Sequence, residues 1–459
     1  MTRMIVLVAV FLMTGVVQLA YAGAGTLDLA VYGNGRVLVC EVRSLSLPAD
    51  GEVVFSGVPE TVLPDTLSVR SLTAPDRFRV LEIGYRFDRA DASTLFRRYR
   101  GREVTVILPD PRDANGRISR KAVLLDAGGT PVFDLGDSIY VGPFEGILLP
   151  ELPEGLDREP TLRWLVENRG PARQDVEVSY LADGMGWRAD YALILDEQGK
   201  NAALSAWATI DNQTGMDFPE AGIKLVAGEV NRVSPQMRQA KSEAYMTMDA
   251  VPGPQERAVG EYHLYELSRP VSLSRAESRQ VRLFSAPKVP VRSELISRFT
   301  VWAGQQGRPI EQPVEAFLEF ENDGKSGLGQ AMPAGTARVY RREVEGAALL
   351  LGEDQVGHVP DGEKVRLKLG NAFDVTVERV QTAFRKIGKT AVSMTWEITV
   401  RNGSKVEKRV KLQEMLNGQW SISKATMKYE KVSSGMVEFE LVLPPGKGAT
   451  TLSYSVDIS

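Results

Sequence analysis

Strict alternation of apolar and polar residues is the feature that most constrains how this chain can fold. Because successive side chains of a strand point to opposite faces of a sheet, such alternation is typical of strands with one buried face. The 42 Gly and 25 Pro residues fit many short elements joined by turns. The sequence therefore predicts an all-β protein. The clearest alternating segments span residues 26–32, 35–45, 102–108, 175–181, 314–321 and 437–443.

Residues 91–101 are the main exception to this alternation. Asp91 is a favourable helix N-cap, Leu95 and Tyr99 lie one turn apart on the same face, and Gly101 follows. We therefore expect one or two short helices, one of them near residues 91–100.

One short phrase occurs four times, in which an alternating strand runs into Asn with Gly close behind. The Asn side chain bonds readily to the backbone ahead of it and tolerates a left-handed conformation. We therefore interpret these residues as turn formers and not as a catalytic set. They are Asn168, Asn212, Asn322 and Asn402.

The first and fourth copies of the phrase share further features. Each is followed by a second alternating strand and then by a tryptophan, Trp187 or Trp420, at nearly equal spacing. This predicts two equivalent antiparallel β-sandwich modules, each with a tryptophan in its core. The alternative is convergence, since many unrelated strands end in similar turns.

The N-terminal 22 residues have the features of a secretory signal. Arg3 precedes an apolar stretch, and Ala20 and Ala22 supply the small residues of a cleavage site. We expect cleavage before Gly23, a periplasmic or otherwise exported mature chain, and membrane contact only before cleavage. Cys40 is the one cysteine, which leaves no partner for an internal disulfide, and its alternating context predicts a small buried hydrophobe.

The predicted organisation has several β-sandwich-like modules and a flexible mid-chain linker. Residues 233–260 lack any sustained apolar period and contain small, charged and Pro residues, which is typical of a linker or long loop. The predicted segments are a signal peptide at 1–22, an N-terminal β domain at 23–150, a β-sandwich module at 151–232 that continues at 261–330 after the linker, and a C-terminal β-sandwich module at 331–459.

No catalytic, cofactor-binding or metal site is predicted from motifs. The chain has no H-E-x-x-H, C-x-x-C or G-x-S-x-G pattern, and Met237, Met246 and Met248 have no His or Cys nearby to suggest a soft-metal site. Its two histidines, His263 and His358, have no nucleophile motif beside them, and we expect structural roles. Carboxylate pairs remain open, because their geometry is set by the fold.

Two features of the sequence bear on binding, although neither is a motif. Residues 70–121 hold 13 Lys and Arg against 7 Asp and Glu, which suits either a polyanion or a solvated face balanced by acids elsewhere. A total charge of −4 gives no reason to expect nucleic acid. Aromatic residues form the second feature: they favour core packing, with a sugar-stacking ligand platform as the alternative. The candidate platform residues are Trp187, Tyr191, Trp207 and Trp420.

Several long stretches resemble an uncharacterised exported bacterial family, the mucoidy-inhibitor-like proteins. They include LPELPEGLDREPTLRWLVEN at 149–168, VSYLADGMGWRADYALIL at 178–195 and GHVPDGEKVRLKLGNAFDV at 357–375. Members often carry a long coiled-coil insertion, for which this sequence has no sustained heptads. The resemblance implies a link to the cell envelope or its surface polysaccharide, and it supplies no catalytic residues.

Two functional hypotheses follow. The first is an exported, non-enzymatic β-sandwich protein that acts as a cell-envelope interaction or assembly factor. The alternative is an envelope protein that binds or hydrolyses carbohydrate. The expected partner is an envelope protein or a surface polysaccharide, without a small-molecule cofactor.

Overall fold

The computed structural model describes most of the chain and divides it into two compact units. Unit 1 comprises residues 1–186, 211–224 and 269–278, and unit 2 comprises 187–210, 225–268 and 279–459. The described residues are 18–19, 25–87, 91–110, 113–126, 128, 130–151, 153, 160–228, 256–259, 262–302, 306–343, 347–388, 391–446 and 448–459.

The strands up to residue 227 are β1 (Gln18–Leu19), β2 (Leu27–Tyr32), β3 (Arg36–Ser46), β4 (Asp50–Ser56), β5 (Ser68–Ser71), β6 (Phe78–Arg86), β7 (Glu103–Asp110), β8 (Asp113–Asp126), β9 (Val132–Asp134), β10 (Ile139–Val141), β11 (Gly146–Leu148), β12 (Thr161–Asn168), β13 (Arg173–Asp183), β14 (Met185–Leu195), β15 (Asn201–Asn212) and β16 (Phe218–Ala227). One α-helix, α1 (Ala92–Tyr99), and two 3-10 turns, Pro64–Thr66 and Pro75–Arg77, lie in the described part of this half.

The later strands are β17 (Glu256–Val259), β18 (Tyr262–Glu266), β19 (Val271–Leu273), β20 (Glu277–Pro290), β21 (Arg292–Thr300), β22 (Pro309–Gln312), β23 (Glu315–Glu321), β24 (Gly335–Arg342), β25 (Ala348–Val356), β26 (Lys364–Asn371), β27 (Val375–Lys386), β28 (Val392–Asn402), β29 (Lys408–Met415), β30 (Trp420–Ala425), β31 (Glu430–Ser433), β32 (Met436–Leu443) and β33 (Ala449–Ile458). A further 3-10 turn spans Gly324–Ser326.

The all-β prediction is confirmed, and the helix lies where the sequence places it. The carboxylate of Asp91 accepts a hydrogen bond from the backbone N–H of Thr94 at 2.8 Å and so caps α1. Except for residues 18–19, the predicted signal segment lies outside the described residues. The predicted linker does so as well, except for β17, which pairs with β18.

Unit 1 is built mainly from antiparallel ladders, although the short strand β1 pairs in parallel with β4. One sheet has the order β1-β4-β12-β6, and a second joins β2, β3, β13 and β5 in that order. Residues 91–151 are inserted between β6 and β12, where α1 and the sheet β10-β9-β8-β7-β11 enclose their own small core. Because β12 pairs on both sides with strands before residue 150, unit 1 crosses the predicted boundary at 150/151.

Unit 2 contains a sheet of order β20-β15-β14-β24-β25 and a C-terminal sandwich. The sandwich packs the sheet β26-β23-β21-β29-β32-β31 against the sheet β22-β27-β28-β33-β30, with one apolar cluster between them. Unit 2 also crosses the predicted boundary at 330/331, since β14 pairs in parallel with β24. Alternation identifies a strand but not its partner, which is why the predicted boundaries and the compact units differ.

Three of the four repeated Asn residues link two turns in the same way, an arrangement that we call an Asn corner. Asn212, Asn322 and Asn402 have no exposed surface, and each lies at or just after the end of a strand. Each Nδ2 donates to two consecutive carbonyl oxygens of a second turn. The carbonyl pairs belong to Leu273 and Ser274, to Val359 and Pro360, and to Leu443 and Pro444.

The chain takes the same route around all three corners. The strand before the Asn pairs with the strand after the second turn, as in β23·β26 and β28·β33. The strand after the Asn pairs with the strand before the second turn, as in β16·β19, β24·β25 and β29·β32. Each Asn therefore links two turns that are far apart in the sequence, and the prediction that these residues form turns gains a physical basis.

The first copy is different, which corrects the predicted equivalence of the first and fourth copies. Asn168 donates to Pro171 in its own turn and accepts from Gly170 and Gln174, so it reaches no second turn. A local signal marks the second and fourth copies, although not the third, which has Gly324 at the same position. Asn212 and Asn402 are followed two residues later by Thr214 and Ser404, whose hydroxyls donate to the Asn Oδ1 at 2.7 Å.

Candidate functional site

A buried carboxylate lies at the centre of the C-terminal sandwich. The Nε and Nη2 of Arg379 donate to Oε1 of Glu414 at 3.0 and 2.9 Å, and the Tyr454 hydroxyl donates to Oε2 at 3.0 Å. Arg379 also donates to Ser297 at 3.2 Å and lies over the ring of Phe299. These contacts define what we call the Glu414 cluster.

A second cluster of the same composition lies in unit 1. Arg43 donates to Glu41 at 2.7 Å, the Tyr180 hydroxyl donates to the other carboxylate oxygen at 3.5 Å, and the guanidinium lies 4.0 Å from the ring centre of Phe55. Arg43 also donates to the backbone carbonyl of Ser56 at 2.8 Å. We call these residues the Glu41 cluster.

The two clusters combine features that often mark catalytic acids. Burial raises the pKa of both Glu41 and Glu414, and the neighbouring arginines oppose that shift. A general acid must, however, reach its substrate. The side chains of Arg379 and Glu414 are 0% exposed, so a substrate has no access to the Glu414 cluster. The Arg379–Glu414 pair links the two sheets of the sandwich, because Arg379 lies on β27 and Glu414 on β29. A buried ion pair needs complete hydrogen bonding of this kind.

Sequence reasoning missed both clusters, although a signal was present. Val375 and Val377 fill the inward positions of β27, and Arg379 occupies the next inward position. Glu414 follows Val410 and Leu412 in the same phase of β29. A charged residue in the apolar phase of a strand is uncommon, because an unpaired buried charge is costly. It therefore predicts a buried partner, although not which one.

Carboxylates of the six-stranded sheet form a ladder with cations. Glu294 accepts from Lys411 at 2.7 Å and from Arg366 at 3.4 Å, and Arg366 also donates to Glu319 at 2.9 Å. Although burial acts to raise the pKa of Glu319, the hydrogen bond and charge of Arg366 lower it overall. The Glu319 carboxylate therefore stays ionised at neutral pH, so it lacks the proton that a glycosidase general acid must supply.

Two of the predicted platform residues lie in the core. Trp187 is 7% exposed and donates its indole N–H to Val226 at 3.1 Å, and its ring packs edge-on against Tyr265. Tyr191 is 1% exposed and donates its hydroxyl to Pro333 at 2.6 Å. Both occupy inward positions of β14. A sugar has no access to either ring, so the platform prediction is wrong for this pair.

The other two platform residues are half-buried and lie apart. Trp207 faces the opposite side of β15 from its buried neighbours, with the Arg282 guanidinium 5.0 Å from the ring centre. Trp420 lies on β30 of another sheet, donates to Ser434 at 2.6 Å and has the Lys431 ammonium 4.6 Å from its ring. The four residues do not form one surface. The fully buried tryptophan of the C-terminal sandwich is Trp396, not Trp420 as predicted.

The remaining candidates have structural partners. His358 accepts a hydrogen bond from the backbone N–H of Ala334 at 3.2 Å, and His263 is half-buried on β18. Within residues 70–121, many cations pair with carboxylates, which favours the solvated-face interpretation of this basic segment. These pairs include Arg70 with Glu177, Arg100 with Asp126, Arg117 with Glu145, Arg120 with Asp137, and Lys121 with Glu103.

Comparison with known families decides the classification. A family model described as a domain of unknown function, DUF4139, matches residues 176–459, which is more than half of the chain. The chain belongs to this family. The DUF4139 match begins within β13 and includes the Glu414 cluster and the three Asn corners, whereas Glu41 and Arg43 precede it. Comparison with curated proteins found no match.

Two further observations concern the described ranges. No group of three or more His, Cys, Asp or Glu residues there has the arrangement that a metal ion needs. None of the helices there combines the length and the apolar character that crossing a bilayer requires.

Proposed function

We propose that this DUF4139 protein is an exported, non-enzymatic β-sandwich protein that acts as an interaction or assembly factor of the bacterial cell envelope. The observation that carries the non-enzymatic part is the sealed Glu414 cluster. Its Glu, Arg and Tyr are residue types that often act in catalysis. Here they form hydrogen bonds with one another. These residue types bond to one another inside the core and do not meet a substrate.

Export and an envelope role rest on two sequence features. The N-terminal pattern of Arg3, an apolar stretch, Ala20 and Ala22 supports secretion. The resemblance to mucoidy-inhibitor-like proteins supports a role at the envelope or its surface polysaccharide. A chain without disulfides suits this role only if its core and hydrogen bonds suffice for stability, and the three Asn corners supply such bonds.

The test is cross-linking of the full-length chain in its own cells, followed by isolation of the cross-linked material from the envelope fraction. Glu41→Gln and Glu414→Gln are the matched variants, because each removes a buried carboxylate charge. We expect the folded fraction of either variant to keep its cross-links, since both side chains are buried. Loss of all cross-links by a variant that stays folded would contradict the proposal.

The second candidate is a carbohydrate-binding role, favoured by the half-exposed rings of Trp207 and Trp420. A glycan could stack only on a ring face that Arg282 or Lys431 leaves open. Binding of neutral oligosaccharides to the wild-type chain and to Trp207→Ala and Trp420→Ala variants tests this candidate. Saturable binding that either replacement abolishes would support it over the envelope-scaffold proposal.

A further inference from the structure

A small surface pocket in unit 1 carries three arginines and two carboxylates. It is lined by Asp76, Arg77, Arg79, Glu167 and Arg169. These residues come from the end of β12 and from the start of β6 with the 3-10 turn before it. The pocket thus lies where β6 and β12 join their turns. Backbone hydrogen bonds between these two strands fix its position.

Strand register places the charged side chains on one face. Arg79 lies opposite Glu167 in the β6·β12 ladder, and the backbone N–H of Arg169 donates to the carbonyl of Arg77 at 2.8 Å. Arg79 and Glu167 therefore share a face of the sheet, and Arg77 and Arg169, each just beyond a strand end, line the same pocket. The backbone bond makes Arg77 and Arg169 neighbours, and their like charges repel without an anion between them.

The charges of the pocket do not balance internally. Arg169 forms an ion pair with Glu167. No carboxylate lies within ion-pair distance of Arg77 or Arg79 in the described parts of the chain, although both are exposed. Nearby surface arginines do have such partners, as in Arg70 with Glu177 and Arg163 with Glu52. The pocket therefore concentrates guanidinium groups that the fold itself leaves available.

The mixture of charges indicates what kind of ligand would fit. Guanidinium groups bind carboxylate or phosphate oxygens through paired hydrogen bonds. Asp76 and Glu167 are acceptors, and they would repel a bare anion but accept hydrogen bonds from hydroxyl groups. A sugar that carries a carboxylate or phosphate offers both an oxyanion and several hydroxyl donors.

We propose that this arginine pocket binds an anionic sugar unit, with Arg77 and Arg79 on its oxyanion and Asp76 on its hydroxyl groups. Such a unit can be free or part of an acidic polysaccharide. The inference goes beyond the proposed function and does not depend on it, because it requires neither export nor an envelope partner. All five pocket residues also lie outside the segment that the DUF4139 model matches.

Calorimetric titration of the purified full-length chain tests the pocket with four probes: glucuronate, short oligogalacturonate, glucose and inorganic phosphate. The variants are Arg77→Ala, Arg79→Ala and their combination. Arg120→Ala is the matched control, since Arg120 is a surface arginine of unit 1 outside the pocket and pairs with Asp137 at 2.9 Å. Thermal melting of every variant shows whether it folds, and Arg77→Lys provides a milder change that keeps the charge.

We expect saturable binding of glucuronate or oligogalacturonate, weakened about tenfold or more by the double replacement and left nearly unchanged by Arg120→Ala. Binding of oligogalacturonate alone would identify a polymer as the source of the sugar unit, and binding of glucuronate as well would identify the single unit. Binding of phosphate but not of glucuronate would overturn the sugar assignment. Absence of binding by all probes, or equal loss in Arg120→Ala, would overturn the pocket itself.

Discussion

The side-chain Nδ2 of Asn402 donates a hydrogen bond of 3.0 Å to the carbonyl oxygen of Pro444, 42 residues further along the chain. Asn212 makes the same bond to Ser274 at 2.9 Å, and Asn322 makes it to Pro360 at 2.9 Å. A side chain that joins two turns in this way fixes which strands become neighbours. In three of its four copies, the repeated phrase therefore has a structural role: its Asn links two distant turns.

Replacing Asn402 or Asn212 with Ala should destabilise the protein strongly. Each replacement removes the Asn donor from several buried or part-buried carbonyl oxygens, and a buried group left unsatisfied costs about 1–3 kcal/mol. We expect a loss of roughly 2–4 kcal/mol in the free energy of unfolding, measured by urea denaturation. Asn402→Asp should be at least as harmful, because it removes the donor and puts a carboxylate beside those carbonyl oxygens.

Asn168→Ala is the matched control, since Asn168 donates only to Pro171 within its own turn. Its cost should resemble that of a lost cap, about 0.5–2 kcal/mol. Equal costs for Asn168→Ala and Asn402→Ala would show that the link to the second turn contributes nothing.

Arg379→Met should be among the most destabilising single changes in unit 2. It leaves the Glu414 carboxylate buried without its cation, which typically costs about 3–5 kcal/mol. The double replacement Arg379→Met with Glu414→Leu removes both charges and should recover much of that loss. Chemical denaturation of the two single variants and the double variant measures the coupling. Purely additive losses would contradict the direct pairing seen in the Glu414 cluster.

Cys40 should react slowly with thiol reagents while the protein is folded. Burial, with smaller contributions from Glu177 and Asp28, raises its pKa from 9.0 to about 11. The reactive thiolate is therefore scarcer in the folded chain than in the unfolded chain at pH 8. Because the folded pKa is the higher one, this group contributes stability below about pH 9 and loses that contribution as the pH rises towards about 11. Labelling rates with and without denaturant, measured from pH 7 to 10, check this; equal rates would contradict it.

Trp396→Ala and Trp420→Ala should differ clearly in thermal stability. Trp396 is fully buried and packs against Phe299, so its removal should cost about 3–5 kcal/mol. Trp420 is half-buried and loses mainly its packing at the core edge and its bond to Ser434, for which we expect about 1–2 kcal/mol. A Trp420→Ala protein that melts like the wild type but loses glycan binding would favour the carbohydrate-binding candidate.

The sequence predicted the local features of this fold well. Alternation placed the strands, and Asp91 with Tyr99 placed the helix, because both signals depend on neighbouring residues. Partner choice was harder to predict. The pairing of β12 with strands before the predicted domain boundary, and the reach of Asn402 to Pro444, depend on residues far away in the chain.

The candidate site was predicted less well for the same reason. Trp187 and Tyr191 share a phase of β14 that suited either a core or a platform, and only the opposing elements show that it is a core. Arg379 and Glu414 occupy the apolar phase of their strands, a signal that was missed, and nothing in the sequence shows that they meet. The arginines at 77, 79 and 169 become one group only through the register of β6 and β12.

Subcellular fractionation combined with intact-mass measurement tests the central proposal most directly. The chain, expressed in its own cells without an added leader, should be found in the periplasmic or other exported fraction with a mature N-terminus at Gly23. Part of this mature chain should cross-link to envelope material. A chain that stays in the cytoplasm and keeps residues 1–22 would contradict the account.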